Sequence, residues 1–218
     1  MKPNRALTGL LPVLAVAVLA TACLNPKADP TRYYVLATLS EDPGLYPAAG
    51  LAGDTEEQAS LSSGPHMDIS VGVGPITLPG YLSRTRMVTR QSDNEIDYLE
   101  AERWAQPLEE SLRYAVASDL GMLLWTDRVV VHPWYTASAP SYSVSVDITR
   151  FERGPDGTAS LHSRWTVRDA EGMVLATEPF VRELPTGGES IGAAVNAQSE
   201  LVAAMSREIA DALRRVAS

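Results

Sequence analysis

One cysteine and three histidines in 218 residues leave few groups for metal or redox chemistry, and basic residues are outnumbered by acidic ones, 18 to 27. The lone Cys23 has no partner for an intrachain disulfide, so a disulfide framework is excluded. His66, His132 and His162 fall in a loose polar stretch, before Pro133 and along a strand pattern. No HExxH or His/Cys cluster occurs, which argues against a metal site. A net charge of −9 without any basic stripe argues against nucleic acid. It also disfavours broad electrostatic adhesion to anionic lipid. Any attachment to a membrane must therefore be apolar.

Long apolar runs are also scarce. The longest, Ala6 to Ala20, follows the basic residues Lys2 and Arg5 and is broken by Thr8, Gly9 and Pro12. It falls short of the roughly 20 residues of a spanning helix and fits the core of a secretory signal, expected over 1–22. The run "LATAC" that ends it resembles a bacterial lipobox, with Leu19 one place further from Cys23 than usual and Ala20 in its slot. That resemblance implies a diacylglycerol anchor on Cys23, and Leu24 after it implies sorting to the outer membrane, facing the periplasm. Several acyl chains hold a protein stably where one does not. No other cofactor is expected. Residues 23–31 form a tether, and Leu24 to Pro30 spans roughly 25 Å when fully extended.

The rest, 32–218, reads as one α/β domain: a mixed β-sheet flanked by two main helices. "RYYVLATL" (Arg32–Leu39) is apolar on both faces and predicts a buried strand. Residues 40–66, rich in Gly, Ala, Ser, Pro and acids, read as a mobile insertion. Ile69, Val71 and Val73 alternate in a strand limited by Pro75. The neighbouring Gly72 and Gly74 do not make a nucleotide loop, since the third glycine is missing and no helix follows. "MVTR" and "EIDYLE" predict strands around a turn at Ser92–Asn94. Trp104, Leu108, Leu112, Ala115, Val116, Leu120 and Leu123 predict an amphipathic helix with Pro107 in its first turn. "DRVVVHPW" predicts a fully buried short strand. Tyr142–Arg153, "ASLHSRWTVRD" and "MVLATEPFVREL", parted by "GPDG" and "AEG", predict an antiparallel meander. Ile191, Val195, Gln198, Val202, Met205, Ile209, Ala212 and Val216 step by four and three along a closing helix, expected to pack on its own sheet rather than as a coiled coil.

"GESIG" (Gly188–Gly192) fits the nucleophile elbow of α/β-hydrolases, but no histidine follows Ser190 to act as its base. A helix N-terminus explains the same letters. The pairs Glu56/Glu57 and Glu109/Glu110 read as solvated surface.

The ordered elements "VGVGPITLPGYLSR", "MVTR", "RWAQPLEESL" and "VVVHPW", with an early "YYVL", resemble the PqiC-type ABC-transport auxiliary lipoproteins. The long acidic insertion and Ser83, where an acidic residue is common, depart from the pattern. The resemblance implies a non-enzymatic part of an MCE-type lipid transport system, lipid-anchored in the outer membrane, with an MCE-domain protein as partner. It admits a homo-oligomer, a ring around a tubular partner. Candidate contact residues are Leu78, Pro79, Tyr81 and Arg84 in a Pro-bounded loop, and Arg103, Trp104 and Pro107 at the helix start; Trp104 reads better as core. The alternatives are a general envelope lipoprotein docking on peptidoglycan or an outer-membrane barrel, and a lipid-anchored esterase using Ser190.

Overall fold

A computed structural model describes residues 29–39, 66–135 and 139–218. The signal segment, Cys23 and positions 40–65 of the insertion lie outside the described residues. Arg32–Ser218 forms one compact α/β unit.

In chain order the elements are β1 (Arg32–Tyr34), β2 (Val71–Thr77), β3 (Arg86–Ser92), β4 (Glu95–Trp104), α1 (Leu108–Leu123), β5 (Val129–Val131), β6 (Tyr142–Arg153), β7 (Thr158–Asp169), β8 (Val174–Pro185) and α2 (Ile191–Val216). The eight strands make one curled mixed sheet with β6 as its hub. β2 runs parallel along the first half of β6, and β3 touches its last residue through Thr89 and Arg153. On the other edge β7 and then β8 complete the expected antiparallel meander. β3 and β4 form the expected hairpin around Asp93 and Asn94.

Alternation explains which side of each strand is dry. Val144, Val146 and Ile148 of β6 and Leu161, Trp165 and Val167 of β7 are all buried toward the helices. α2 lies over β6, β7 and β8 and touches α1, which covers β2 and β5, so both helices share one face. The α2 stripe is buried from Val195 to Ala212, with Gln198 inside it. Packing on its own sheet is therefore what the stripe encodes. Ser190 caps α2 by accepting from the Ala193 amide at 3.1 Å, while Arg214 and Arg215 sit in its last turn, where positive charge complements the helix dipole.

Four expectations change. β1 is a three-residue edge strand paired only with β4, and Tyr33 and Val35 are exposed; Leu36 and Leu39 reach the core after the strand has ended. β5 is likewise an edge strand with Val130 at the surface. Pro75 lies within β2, at a register shift between Val73 and Ile76 and beyond the last pair with β5, where no ladder bond is lost. Trp104 ends β4 and is buried against Phe151; α1 starts later, at Leu108, with Pro107 as its N-cap. The residue before a proline prefers extended backbone, so Gln106 cannot easily carry a helix back to Trp104.

The glycines of "VGVG" have a steric reason. A Cβ on Gly72 would lie 2.6 Å from Pro140 and 2.8 Å from the Trp134 ring, and one on Gly74 would lie 2.6 Å from the His132 Cβ. Gly74 also has φ of +119°, a region side chains avoid.

Candidate functional site

The loop between β2 and β3 is short, apolar at its root and tied down at several points. Leu82 plugs into the core and its amide closes a turn on the Pro79 carbonyl at 2.9 Å. Tyr98 of β4 donates to the Tyr81 carbonyl at 3.2 Å, and the Arg84 guanidinium lies 5.0 Å from the Tyr98 ring centre. The Tyr81 hydroxyl reaches down to Glu152, donating to Oε2 at 2.9 Å.

Glu152 is the anchor of that arrangement. Its side chain is 1 % exposed, yet it lies 2.7 Å from Arg90 Nε and 3.3 Å from Arg150 Nε and accepts from the Phe151 amide at 3.0 Å. Burial, reinforced by the Glu152 charge, pushes the Tyr81 phenol up to about 12. A register shift between Ile148 and Arg150 turns the phase of β6, so Phe151 points to the helices and Glu152 to the opposite face, under the loop. A pocket of about 240 Å³ beside it is lined by Arg90, Arg150, Asp156 and Thr158.

The two candidate contact patches are neighbours. The Trp104 amide donates to the Thr85 carbonyl at 2.8 Å, and Arg86 pairs with Arg103 in the β3–β4 ladder. Leu78, Pro79 and Tyr81 are half-buried, Arg84 and Pro107 are exposed, and Arg103 is half-buried. Trp104, 4 % exposed, supports the face from beneath and is not available for contact.

Beyond β1 the chain forms a strap across both helices. Ala37 donates to Ser199 Oγ of α2 at 3.1 Å, and Leu39 donates to Asp119 Oδ1 of α1 at 2.8 Å. A groove of about 860 Å³ runs from Leu39 between β8 and α2, past Arg182 and Arg207. Burial pushes the Asp119 carboxyl up to about 6; the Leu39 amide, Ser206 and Arg207 pull the other way and lose. A raised carboxyl favours the protonated native state, so this group's contribution is fullest below about pH 4 and is lost as pH rises through about 6. Asp119→Asn keeps the acceptor for Leu39 and removes the charge. It is expected to gain about 1–2 kcal/mol at pH 7.5 and nothing at pH 4. Urea unfolding at the two pH values checks this, and an equal effect at both would refute it.

Neither Glu152 nor Asp119 announces itself in the sequence. The one available signal is at Asp119, an acid inside the apolar stripe of α1 next to Leu120; in β6, which also carries Asp147, Arg150 and Arg153, nothing sets Glu152 apart. As for chemistry, Ser190 Oγ is engaged in capping α2, and His162 faces Glu183 at 3.7 Å. Among the described residues no three His, Cys, Asp or Glu side chains converge for a metal.

Two solved structures share this fold. The crystal structure of an uncharacterized protein is 24% identical, with a TM-score of 0.60 over 70% of this chain and 94% of that one. Protein XCC0632 from Xanthomonas campestris, of the DUF330 family, is 17% identical, with a TM-score of 0.58 over 67% and 83%. No curated protein matches. A family model described as the ABC-type transport auxiliary lipoprotein component matches residues 51–210, which takes in the loop, Glu152, Asp119 and most of α2. The chain belongs to the family of ABC-type transport auxiliary lipoprotein components.

Proposed function

We propose that this chain is the non-enzymatic outer-membrane lipoprotein of an MCE-type lipid transport system, anchored through lipid on Cys23 and docking the MCE-domain protein from the periplasm. Family membership supplies the transport role and the envelope location of a lipoprotein. The observation that carries the docking reading is contiguity: the loop Leu78–Arg84 and the turn after β4, more than 15 residues apart in sequence, meet at the Trp104–Thr85 hydrogen bond. The loop is held rigid by Tyr81 and Leu82 while Gly80, Ser83 and Arg84 stay exposed, as a surface prepared before binding requires. The lipid keeps the domain close to the bilayer, where the far end of a periplasm-spanning partner arrives.

The test is photo-crosslinking in intact cells from exposed positions Ser83 and Gln106. Capture of the MCE-domain protein, lost with Cys23→Ala, is the expected result. Capture of peptidoglycan or barrel components alone would replace this reading with that of a general envelope lipoprotein.

A further inference from the structure

Three strands meet at one end of the sheet with an unusual row of side chains. Tyr33 of β1 is the partner of Arg103 in β4, and Arg103 is the partner of Arg86 in β3. Residues opposed across a ladder share a face, so Tyr33, Arg103 and Arg86 lie side by side. The opposite face holds the buried Glu102 and Trp104, so this row is the outer one. Tyr33 is 64% exposed, Val35 follows at 63%, and Arg84 is exposed just before β3.

Like charges directly opposed across strands are destabilising, and nothing in the fold relieves this pair. Among the described residues Arg84, Arg86 and Arg103 have no carboxylate in ion-pair distance, although the chain carries an excess of acids. Glu102, the nearest acid in sequence to Arg103, is committed to Arg32. An exposed tyrosine beside uncompensated arginines has the composition of an interface centre, where planar guanidiniums take carboxylates two bonds at a time.

We propose that the face formed by Tyr33, Arg103 and Arg86, with Arg84 and Val35 at its margin, binds an acidic segment of a partner protein. Protein is favoured over lipid headgroups by charge. A net −9 is repelled from an anionic bilayer as a whole body, whereas a short acidic segment meets only the arginines. Naming the partner as the MCE-domain protein rests on the docking reading above, and the test lets each fail alone.

The full lipidated chain in detergent is titrated with the purified MCE-domain protein and with hexaglutamate peptide, and is compared free of detergent for its binding to phosphatidylglycerol vesicles. The double variant Arg86→Glu/Arg103→Glu is compared with wild type, and Arg86→Ala serves as the milder change. The expected result is more than tenfold weaker binding of the MCE-domain protein to the double variant, a difference that shrinks at high salt. Arg86→Ala is expected to weaken binding while leaving the thermal midpoint unchanged or higher, because it relieves the opposed charges. A merely structural arginine would lower the midpoint instead. Equal binding by wild type and double variant overturns the proposed face and leaves the transport reading intact. Should the MCE-domain protein bind neither form, that reading fails and the peptide decides the face. Hexaglutamate binding lost in the double variant then upholds an acidic-segment site; vesicle binding that weakens in the double variant in its place, beyond what the shared lipid anchor gives both forms, or no peptide binding, overturns it.

Discussion

Gly72→Val is expected to lower the thermal midpoint by roughly 10 °C, and Gly72→Ala by about half as much. The glycine is buried in β2 between β5 and β6, and the atoms its missing side chain would meet belong to rings. Pro140 cannot rotate away, and the Trp134 ring is held edge-on to His132 at 5.3 Å between centres. Adding even one carbon forces a backbone or ring shift of several tenths of an ångström, and overpacking of this kind costs about 1–3 kcal/mol. For a chain of this length each kcal/mol moves the midpoint by roughly 2–4 °C. Valine favours strands by propensity, so propensity and packing oppose each other, and packing wins. The check is calorimetry of the single variants together with the double variant Gly72→Ala/Trp134→Ala. Removing the ring is expected to recover part of the loss, so the two changes will not be additive. Additive losses would mean that the contact with Trp134 is not what requires glycine.

The same contact explains why two motifs far apart in sequence go together. "VGVG" lies in β2 and "VVVHPW" runs through β5 and past it, and β2 and β5 are paired from Val71 with Val129 to Val73 with Val131. The histidine and tryptophan that end the second motif fold back over the glycines of the first, and the His132 amide donates to the Val73 carbonyl at 2.8 Å. The glycines are therefore packing positions, and the absence of a phosphate loop, argued from spacing, has a positive counterpart.

What was legible follows from the same physics. The meander was readable because β6 and β7 each bury one face over their length, β8 adds the single buried Phe180, and the strands are parted by Gly-containing turns, at Gly157 and Gly172 with positive φ. α2 was readable because its 4-3 stripe is buried almost throughout. The edge strands depart from the buried strands expected because an apolar run reports an affinity for burial but not how many neighbours a strand has. In Arg32–Leu39 the burial falls on Leu36 and Leu39, after pairing has stopped. Trp104 fell in step with the α1 stripe by coincidence of spacing across a strand–helix junction. Of the candidate face, Arg84 and Arg103 were found as residues, but their meeting depends on the Arg86–Arg103 ladder pair, which no local pattern encodes. Glu152 and Asp119 are not legible in the sequence because a buried acid is recognised by its partners, and these come from distant elements: Tyr81 and Arg90 for one, Leu39 for the other.

The other large effect is expected at Glu152. Glu152→Ala removes the carboxylate that faces Arg90, Arg150 and the Tyr81 hydroxyl, and leaves a largely buried guanidinium at Arg90 without its counter-charge. Breaking a buried ion pair from one side costs about 3–5 kcal/mol, which here corresponds to roughly 10 °C or more in midpoint. Glu152→Gln keeps an acceptor for Tyr81 and is expected to lose less. Stability alone does not show that the loop is moored here, so the second readout is the Tyr81 phenol. Burial and then the Glu152 charge hold it at about 12, which favours the neutral form in the native state. That contribution is present below about pH 10 and is lost as pH rises toward 12. In Glu152→Ala the charge is gone and the loosened loop admits water, so both causes shrink and the tyrosine titrates nearer 10. Tyrosinate absorbance against pH, compared with Tyr81→Phe to assign the signal, measures it directly. A stability unchanged within about 1 kcal/mol, or a phenol that still resists ionisation, would show that the loop is held by Leu82 and Tyr98 and that the buried carboxylate is incidental to it.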